Sequence, residues 1–492
     1  MPGRGPLCPS GQVREELLEM PNESLTRIEK DSLGEIAVPA DAYYGAQTAR
    51  AVANYPISGL RAHPAMIRAY GQLKLACAEA NVELKMIPAK IGRAIARASR
   101  DVANGKLNDQ FVVDVYQAGA GVSFHMNTNE VIANRAIEYL GGRKGDYSVV
   151  HPNDHVNFGQ STNDTYPTAM RLATVLLLDD FYPALAELEA AFAKKGVEFD
   201  GIVKSGRTHL QDAVPVRLGQ EFTAYAVSLH DAQEQIAATA ESLTHLGLGG
   251  SAVGTGLNAH PGFPKVVAER LSKLTGHRFQ VKSDLRAAMQ SQLPMAAVSG
   301  ALRNLALELI RIANDLRLLS SGPYTGMGEI VLPALQPGSS IMPGKVNPVM
   351  GELLNMVAFQ VVGCDTVVAL AVQGGQLELN VMMPAMAWNV LHALEILKNT
   401  CRVVAEKCVL GITANRETCE RYGYRTPSIA TALNPVIGYA RAAEIVKKSL
   451  RTGKSIPEIC LEENVLSQQE LDHILDPRRM TEPGLPPKRK KA

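Results

Sequence analysis

The sequence lacks any arrangement of cysteines that would suggest disulfide bonds or a zinc site. Its seven cysteines are scattered over 492 residues, are odd in number and show no C-x-x-C spacing. Disulfide frameworks use even numbers of cysteines, and structural zinc sites use closely spaced cysteine and histidine ligands. The cysteine pattern therefore indicates reduced thiols and predicts a cytoplasmic protein.

The sequence also has no excess of charge of either sign. Lysine and arginine number 50 against 49 aspartate and glutamate residues. Without a net field, the protein as a whole would attract neither nucleic acid nor an anionic membrane surface. The chain ends in a short basic run, PPKRKKA, and we interpret residues 485–492 as a solvated basic tail.

Long apolar runs are missing as well. No run approaches the roughly 18 residues that a membrane span requires, so no membrane partner is expected. The first twenty residues contain no apolar h-region, which argues against a signal peptide. We interpret residues 1–24 as a flexible N-terminal extension.

What the sequence does have is helical periodicity in unusually long segments. From Leu218 to Leu243, apolar residues recur at spacings that alternate between four and three, which is a heptad pattern. A second heptad pattern runs from Leu302 to Leu319 and stops before Gly322-Pro323. Such lengths predict a helical bundle core, and the apolar faces left over on one chain predict an oligomer. Other helical patterns cover residues 64–84, 129–140, 166–194 and 351–408, and strand signals are confined to residues 36–38 and 279–281.

Four polar islands interrupt the helical patterns, at residues 117–130, 151–164, 205–212 and 338–348. They are dense in Gly, Ser, Thr, Asn and His, and each precedes a helical pattern. Backbone N–H groups and hydroxyls at such positions can converge on an anion. A single island of this kind is usually a helix cap. Four of them favour one composite anion-binding site.

Other chemistries fit the islands less well. His151 and His155 are four residues apart, but no carboxylate or cysteine completes a metal ligand set. The glycine-rich residues 247–256 follow a long helical pattern and not a strand, which removes the context of a dinucleotide-binding loop. Ser339 and His209 could belong to a hydrolase, but the sequence has no G-x-S-x-G elbow.

The fourth island, with Ser339, Lys345 and Asn347 in place, resembles the signature loop of the aspartase/fumarase superfamily. The other three islands are similar, in order, to the remaining site regions of that family, and the resemblance spans residues 27–484. It implies an all-α, three-domain fold whose central bundle of long helices forms the core of a homotetramer. It also implies active sites that are shared between subunits.

We accordingly predict five segments along the chain. The composition changes near Ala414 and again near Pro427, which indicates a small C-terminal helical domain. The predicted segments are the extension at 1–24, an N-terminal helical lyase domain at 25–160, a central long-helix bundle with the signature loop at 161–414, the C-terminal domain at 415–484 and the basic tail at 485–492.

Within the superfamily, the residues of these motifs are more similar to those of aspartases than to those of class II fumarases. Tyr44 stands where fumarases usually carry Trp, Thr162 where they tend to have Ser, and Val214 where they prefer Thr. The resemblance therefore implies a reversible anti-elimination of ammonia from a small dicarboxylate, L-aspartate, to give fumarate. It implies no cofactor and no catalytic metal.

The chemistry of this elimination explains the density of hydrogen-bond donors. The proton to be removed lies next to a carboxylate and is only weakly acidic. Its removal yields an aci-carboxylate that carries two negative charges. The site must therefore bind that doubly charged oxygen pair more tightly than the carboxylate of the ground state.

The resemblance also assigns roles to single residues. Ser339 is expected to be the general base on a mobile loop, with its pKa lowered by the loop's backbone donors and by Lys345. Asn163 and the catalytic His209 are expected to face the leaving group. Glu352 is expected to pair with His209 and to set its tautomer. The substrate carboxylates are assigned to the other polar residues: Lys345 and Asn347 for the α-carboxylate, and Ser161, Thr162 and Ser340, with Thr208 adjoining, for the β-carboxylate.

Four positions depart from the family pattern. Val122 stands where Thr is normal, His125 where Asn is usual, Tyr324 where Arg is usual, and Met383 where Glu or Lys is common. In aspartases the Thr hydroxyl helps to hold the substrate ammonium. Val122 lacks that hydroxyl, and His125 is a candidate to compensate for it.

Three alternatives to an aspartase stay open at this point. Two are enzymes of the same superfamily: a class II fumarate hydratase and a carbon–nitrogen lyase for a substituted aspartate. The third is a non-catalytic helical assembly protein, as some relatives are in the eye lens. The intact Ser339, Lys345 and Asn347 argue against this third alternative.

Overall fold

The structure, a computed structural model, describes residues 26–485. The predicted N-terminal extension and residues 486–492 of the predicted basic tail lie outside this range. The described chain is mostly helical, as predicted. Its helices are α1 (Ala46–Asn54), α2 (Pro64–Glu83), α3 (Ala89–Ala103), α4 (Val122–Tyr139), α5 (Thr162–Glu198), α6 (Leu218–Ala240), α7 (Phe263–Thr275), α8 (Leu285–Gln290), α9 (Leu293–Leu319), α10 (Val349–Gln373), α11 (Met383–Lys407), α12 (Arg416–Arg425), α13 (Asn434–Ile437), α14 (Tyr439–Thr452), α15 (Ile456–Glu462) and α16 (Gln468–Ile474).

The strands of the described residues form four separate pairs. Three pairs are antiparallel: β1 (Thr26–Asp31) with β2 (Gly34–Pro39), β3 (Val203–Thr208) with β4 (Gln211–Arg217), and β7 (Ile330–Val331) with β8 (Thr413–Ala414). The fourth pair is parallel, between β5 (His245–Leu246) and β6 (Gln280–Val281). Both predicted strand signals lie in these pairs.

Five long helices form the centre of the molecule. Helices α5, α6, α9, α10 and α11 pack in a closed ring in which each contacts the next, and α11 returns to α5. The two heptad patterns are confirmed, because their apolar residues form the buried faces of α6 and α9. Burial of one apolar face of each helix stabilises such a bundle.

Three local predictions were wrong. Helix α4 begins at Val122 and not near residue 129, because the polar residues of its first turns are buried against other segments. The pattern at 351–408 is divided into α10 and α11. The side chain of Asn380 ends α10 by donating to the carbonyls of Ala371 and Val372 at 3.0 Å. The third island precedes no helix directly but forms the β3–β4 hairpin.

Helices α9 and α10 bear on the expectation about apolar segments. Each is long and apolar enough to cross a membrane when judged by length and composition alone. Polar and charged residues, such as Arg303 in α9 and Asp365 in α10, interrupt the apolar runs in the sequence but leave the mean hydropathy of the helices high. The two helices pack against each other within the bundle, and core helices pass the same test.

The buried apolar side chains form two separate clusters. The large one extends from Met66 to Cys419 and includes the bundle. The small one lies between Ile429 and Leu475 and is made by the C-terminal helices. The exact boundaries of the predicted segments stay predictions.

Candidate active site

Helix α5 starts inside the second island, and its first turn carries predicted substrate-binding residues. Ser161 precedes the helix, and its hydroxyl accepts a hydrogen bond from the backbone N–H of Asn163 at 3.2 Å. The carboxylate of Asp164 accepts from the backbone N–H of Ser161 at 2.9 Å, which completes a capping box. Ser161 therefore caps the helix, while the hydroxyl of Thr162 and the amide of Asn163 have other partners.

Asp164 fixes this turn to the glycine-rich loop at residues 247–256. Its second carboxylate oxygen accepts from the backbone N–H groups of Gly249 at 3.0 Å and Ser251 at 2.9 Å. Complete burial raises the pKa of Asp164 to about 6, against the lowering effect of these backbone donors. The amide nitrogen of Asn163 donates to the carbonyl of Ala252 at 2.8 Å, which leaves its amide oxygen as an acceptor for a substrate amine.

The first island begins at a sharp turn and continues into helix α4. Gly121 adopts a left-handed conformation with φ 93°, and an added Cβ would lie 2.2 Å from the ring of Tyr166, so only glycine fits. Further along, the buried carboxylate of Glu130 accepts from the N–H of Gly45 at 2.8 Å and from the hydroxyl of Thr48. Burial raises the pKa of Glu130. The island is thereby fixed to helix α1.

The four departures from the family pattern lie in different environments. Val122 is the first residue of α4, and 40% of its surface is exposed. His125 is only 1% exposed, and both of its ring nitrogens contact neighbouring side chains. The expectation that His125 compensates for Val122 is therefore wrong, because its ring faces the interior and not the solvent. Tyr324 is fully exposed, whereas Met383 is buried at the start of α11.

The β3–β4 hairpin presents Thr208 and His209 at its exposed tip, where His209 has a positive φ of 52°. Its base is held by charged side chains. The buried Glu329 lies 2.5 Å from the Nζ of Lys204 and 2.8 Å from a guanidinium nitrogen of Arg207. These contacts fix the hairpin to the segment that follows α9.

The signature loop before α10 is closed by two hydrogen bonds. The backbone N–H of Gly338 donates to the carbonyl of Lys345 at 2.8 Å. The side-chain amide of Asn347 donates to the carbonyl of Gly338 at 2.7 Å. The amide nitrogen of Asn347 thus supports the loop, and the exposed ammonium of Lys345 is left to meet a ligand.

Within this loop the hydroxyl of Ser339 has two backbone donors. Its Oγ accepts from the N–H of Met342 at 3.0 Å and from that of Ile341 at 3.2 Å. Donors aimed at an oxygen stabilise its anionic form. The neighbouring Ser340 is exposed. The loop therefore supplies what a serine base requires, which is a local stabilisation of the alkoxide.

One chain does not bring the predicted site residues together. Across residues 26–485, no hydrogen bond or ion pair joins residues 161–163, the hairpin tip and the loop at 338–347. His209 and Glu352 are both exposed and make no contact with each other there, so their pairing stays a prediction. The same residues contain no group of three or more His, Cys, Asp or Glu side chains that could hold a metal ion.

Sequence reasoning missed three residues that organise the site. Lys74 and Glu329 are charged yet almost fully buried, and Asp164 was read only as part of an island. A signal for Lys74 existed, because a lysine stands in the middle of the apolar helical pattern at residues 64–84. Glu329 offered no such signal, since it lies between helices and its partners are more than 100 residues away.

Comparisons with known proteins show extensive similarity to lyases. A family model described as "Lyase" matches residues 34–363, and one described as "Fumarase C C-terminus" matches residues 429–482. The chain is 48% identical to an aspartate ammonia-lyase from a Bacillus species, over 93% of this chain and 98% of that protein. It is 47% identical to the aspartate ammonia-lyase of Escherichia coli K12, over 94% of this chain and 98% of that protein.

Solved structures with the same fold come from related proteins. The fumarate lyase:delta crystallin from Brucella melitensis bound to cobalt superimposes with a TM-score of 0.90 at 48% identity. That match covers 93% of this chain and 100% of the other. The recombinant class II fumarase from Schistosoma mansoni also gives a TM-score of 0.90, at 38% identity, over 93% of this chain and 99% of the other.

Proposed function

Because the chain belongs to the aspartase/fumarase superfamily of lyases, we propose that it is an aspartate ammonia-lyase, which reversibly eliminates ammonia from L-aspartate to give fumarate. It is a carbon–nitrogen lyase of a family that acts on small dicarboxylates. The observation that carries the proposal is the 46–48% identity to several aspartate ammonia-lyases over nearly the whole chain.

The first step of the proposed mechanism is proton removal by Ser339. Its alkoxide is stabilised by the backbone N–H groups of Ile341 and Met342 and by the charge of Lys345. The bond to the proton at the β-carbon breaks, and its electron pair moves onto the β-carboxylate. Ser161, Thr162 and Ser340 donate hydrogen bonds to the resulting aci-carboxylate, and these strengthen as its charge develops.

In the second step the carbon–nitrogen bond breaks and ammonia leaves with the bonding electrons. Asn163 accepts a hydrogen bond from the amine through its amide oxygen, and His209 faces the same group. Lys345 and Asn347 hold the α-carboxylate throughout. These are contacts of both ground state and transition state, so they orient the substrate more than they accelerate the reaction.

We propose that the active protein is a homotetramer and that each site uses more than one chain. The proposal is supported by helix α10, whose outward face carries apolar residues at helical spacing, including Met356, Phe359 and Leu370. An exposed apolar face of this length needs a partner. It is also supported by the separation of the three groups of site residues within a single chain.

We further propose a cytoplasmic location. Six of the seven cysteines lie in the described range, and all six are free and buried. Unpaired thiols of this kind are usual in a reducing compartment.

A substituted aspartate is the second candidate substrate, and Val122 is the observation that favours it. An exposed apolar side chain at the position of the family's threonine fits an alkylated amine better than a bare ammonium.

The test is the appearance of fumarate, followed by its ultraviolet absorbance, with aspartate, malate and argininosuccinate offered in turn. Aspartate is expected to give fumarate with the original protein and no detectable fumarate with the Ser339→Ala protein. Turnover of malate but not of aspartate would favour a fumarate hydratase. Turnover of argininosuccinate alone would favour the substituted substrate. Either result would overturn the proposal.

A further inference from the structure

A buried polar cluster lies directly behind the substrate-binding turn. It consists of Lys74 on α2, His125 on α4 and Thr162 on α5, with exposed surfaces of 0%, 1% and 9%. The Nε2 of His125 lies 2.9 Å from the Nζ of Lys74, and its Nδ1 lies 2.7 Å from the hydroxyl of Thr162. The three side chains therefore form a chain of hydrogen bonds that ends at the site.

The surroundings of Lys74 show which partner donates in the hydrogen bond between Lys74 and His125. Besides His125, its Nζ contacts the amide oxygens of Gln160 at 2.9 Å and Asn157 at 3.0 Å. Both amides are fixed in this orientation because their nitrogens donate to backbone carbonyls. Three acceptors thus surround the three N–H groups of an ammonium. Lys74 donates to the Nε2 of His125.

The tautomer of His125 follows from this donation. A neutral imidazole that accepts at Nε2 carries its proton at Nδ1. Burial and the nearby charge of Lys74 both lower the pKa of His125, which keeps the ring neutral. The hydroxyl of Thr165 lies 3.4 Å from Nε2 but donates to the carbonyl of Ser161 at 2.7 Å, so it does not compete with Lys74.

The hydroxyl of Thr162 therefore accepts from the Nδ1–H of His125. A hydroxyl has one hydrogen to give, and the ring nitrogen does not take it. Across the described residues, Thr162 makes no other side-chain hydrogen bond. Its hydrogen is left to point at a substrate carboxylate. The asparagine usual at position 125 holds its amide closer to the backbone, so it would not place a polar atom where the Nε2 of His125 meets Lys74.

We propose that His125, oriented by the buried Lys74, is a positioning residue that makes the hydroxyl of Thr162 an obligatory donor to the substrate's β-carboxylate. The proposal rests on the proposed function, because that carboxylate is where charge develops during the elimination. A donor whose orientation is set before the reaction costs no reorganisation in the transition state. The ring of Tyr70 stacks on His125 with centroids 5.7 Å apart and holds it in place.

A double-mutant cycle on aspartate turnover tests the proposal. His125→Asn and Thr162→Ala are each expected to lower kcat/KM by about tenfold to a hundredfold, through a fall in kcat and a smaller rise in KM. The double variant should be no worse than the poorer single variant, because His125 acts through Thr162. Thr174→Ala is the matched control, since this buried threonine lies twelve residues further along α5 and its hydroxyl donates to the carbonyl of Met170 at 2.8 Å, outside the cluster. It should leave both constants near their original values.

Additive losses in the double variant would overturn the proposal, because they would show that His125 acts independently of Thr162. A His125→Asn protein with unchanged kcat would overturn it too. If this variant does not fold, His125→Gln takes its place. Glutamine keeps an acceptor for Lys74 and a donor for Thr162, so it should retain more activity than Thr162→Ala, and less activity would contradict the proposal.

Calorimetric binding of succinate, a dicarboxylate that cannot react, separates this proposal from the proposed function. Absence of aspartate turnover in the unmodified protein would refute the function alone. In that case His125→Asn should still weaken succinate binding when Thr162 is present and have no effect in the Thr162→Ala background. Equal weakening in both backgrounds would overturn the positioning role.

The pH dependence of the variant's defect gives an independent readout. Burial lowers the pKa of Lys74 to about 7, while Cys77 and Asp164 act in the opposite direction. Below that pH Lys74 carries all three hydrogens and fixes the ring, and above it the tautomer is free to reverse. The ratio of kcat between the original protein and His125→Asn should therefore be largest below about pH 7 and fall above it. A ratio that rises with pH would contradict the role of Lys74. The other titratable side chains that face the cluster are the neutral phenols of Tyr70 and Tyr166.

Discussion

At the scale of single residues, Ser339 has the most demanding task. A serine hydroxyl is a poor base, and the structure offers it two backbone donors and a nearby lysine on an exposed loop. These groups stabilise the alkoxide only when water is excluded, because solvent screens them in the open loop. If Ser339 is the base, as proposed, its loop must therefore be shielded from water before the reaction.

Replacing Ser339 should separate chemistry from binding. Ser339→Ala is expected to lower kcat by several orders of magnitude and to leave dicarboxylate binding largely intact, since the hydroxyl acts on a proton only in the transition state. Lys345→Ala should instead raise KM, because it removes a charge contact that is already present in the ground state, and should lower kcat less than Ser339→Ala does, because the backbone donors to Ser339 remain. Steady-state kinetics with aspartate check both. A Ser339→Ala protein with near-normal turnover would show that another group is the base.

We expect Val122 to determine how well the site holds a bare ammonium. If L-aspartate is the substrate, Val122→Thr restores a hydrogen bond to a charged group, worth roughly 1.5–3 kcal/mol. That corresponds to a rise of about tenfold to a hundredfold in kcat/KM for aspartate. His125 is no obstacle to this change, because its ring is buried behind the turn. If the substrate carries an alkylated amine, the same change should harm the native reaction and leave aspartate poor. A fall in kcat/KM for aspartate from an already high value would refute both alternatives.

At the scale of elements, the β3–β4 hairpin depends on one buried carboxylate. Glu329 neutralises Lys204 and Arg207, and Lys204 also contacts Glu221 at 2.9 Å. Removing one partner of a buried ion pair leaves an uncompensated charge in the interior. The position of the tip that carries Thr208 and His209 therefore depends on this network of ion pairs.

Glu329→Gln should destabilise the protein by about 3–5 kcal/mol and reduce aspartate turnover, because the hairpin loses its anchor. Thermal unfolding and steady-state kinetics measure the two effects. Glu308→Gln is the matched control, since Glu308 forms an exposed pair with Arg311 at 2.7 Å and such pairs contribute little. Equal losses in the two variants would show that the buried network has no special role.

The elements also show what a sequence can and cannot predict. The heptad patterns of α6 and α9 were readable because their buried faces repeat along one helix. The start of α4 was not readable, because the burial of Glu130 depends on hydrogen bonds from Gly45 and Thr48, about 80 residues earlier. The hairpin at the third island was missed for the same kind of reason, since its anchor Glu329 lies more than 100 residues away. The site residues carried their own signal in the polar islands, whereas Lys74 and Asp164 act through partners that only the fold brings close.

At the scale of the whole molecule, the outward face of α10 and the dispersed site residues point to the same assembly. The opposite face of α10 is buried within the bundle, at residues such as Leu354, Ala358 and Val361. The helix therefore has two apolar faces, and one chain covers only one of them. Packing the second face against other subunits is the kind of assembly that the proposed shared active sites require.

Phe359, 58% exposed on the outward face of α10, is the residue whose change tests this assembly. Light scattering should give about four times the chain mass of 52.9 kDa for the original protein. Phe359→Asp should reduce the mass below that of a tetramer, because it places a charge from every subunit into an apolar contact. Aspartate turnover should be lost with it, since each proposed active site draws on residues of more than one chain. Leu450→Asp, at an apolar position that is 70% exposed on α14, is the control and should change neither the mass nor the activity. An active monomer, either of the original protein or of the Phe359→Asp variant, would refute the tetramer with shared sites, because a monomer would then contain every group that the reaction requires.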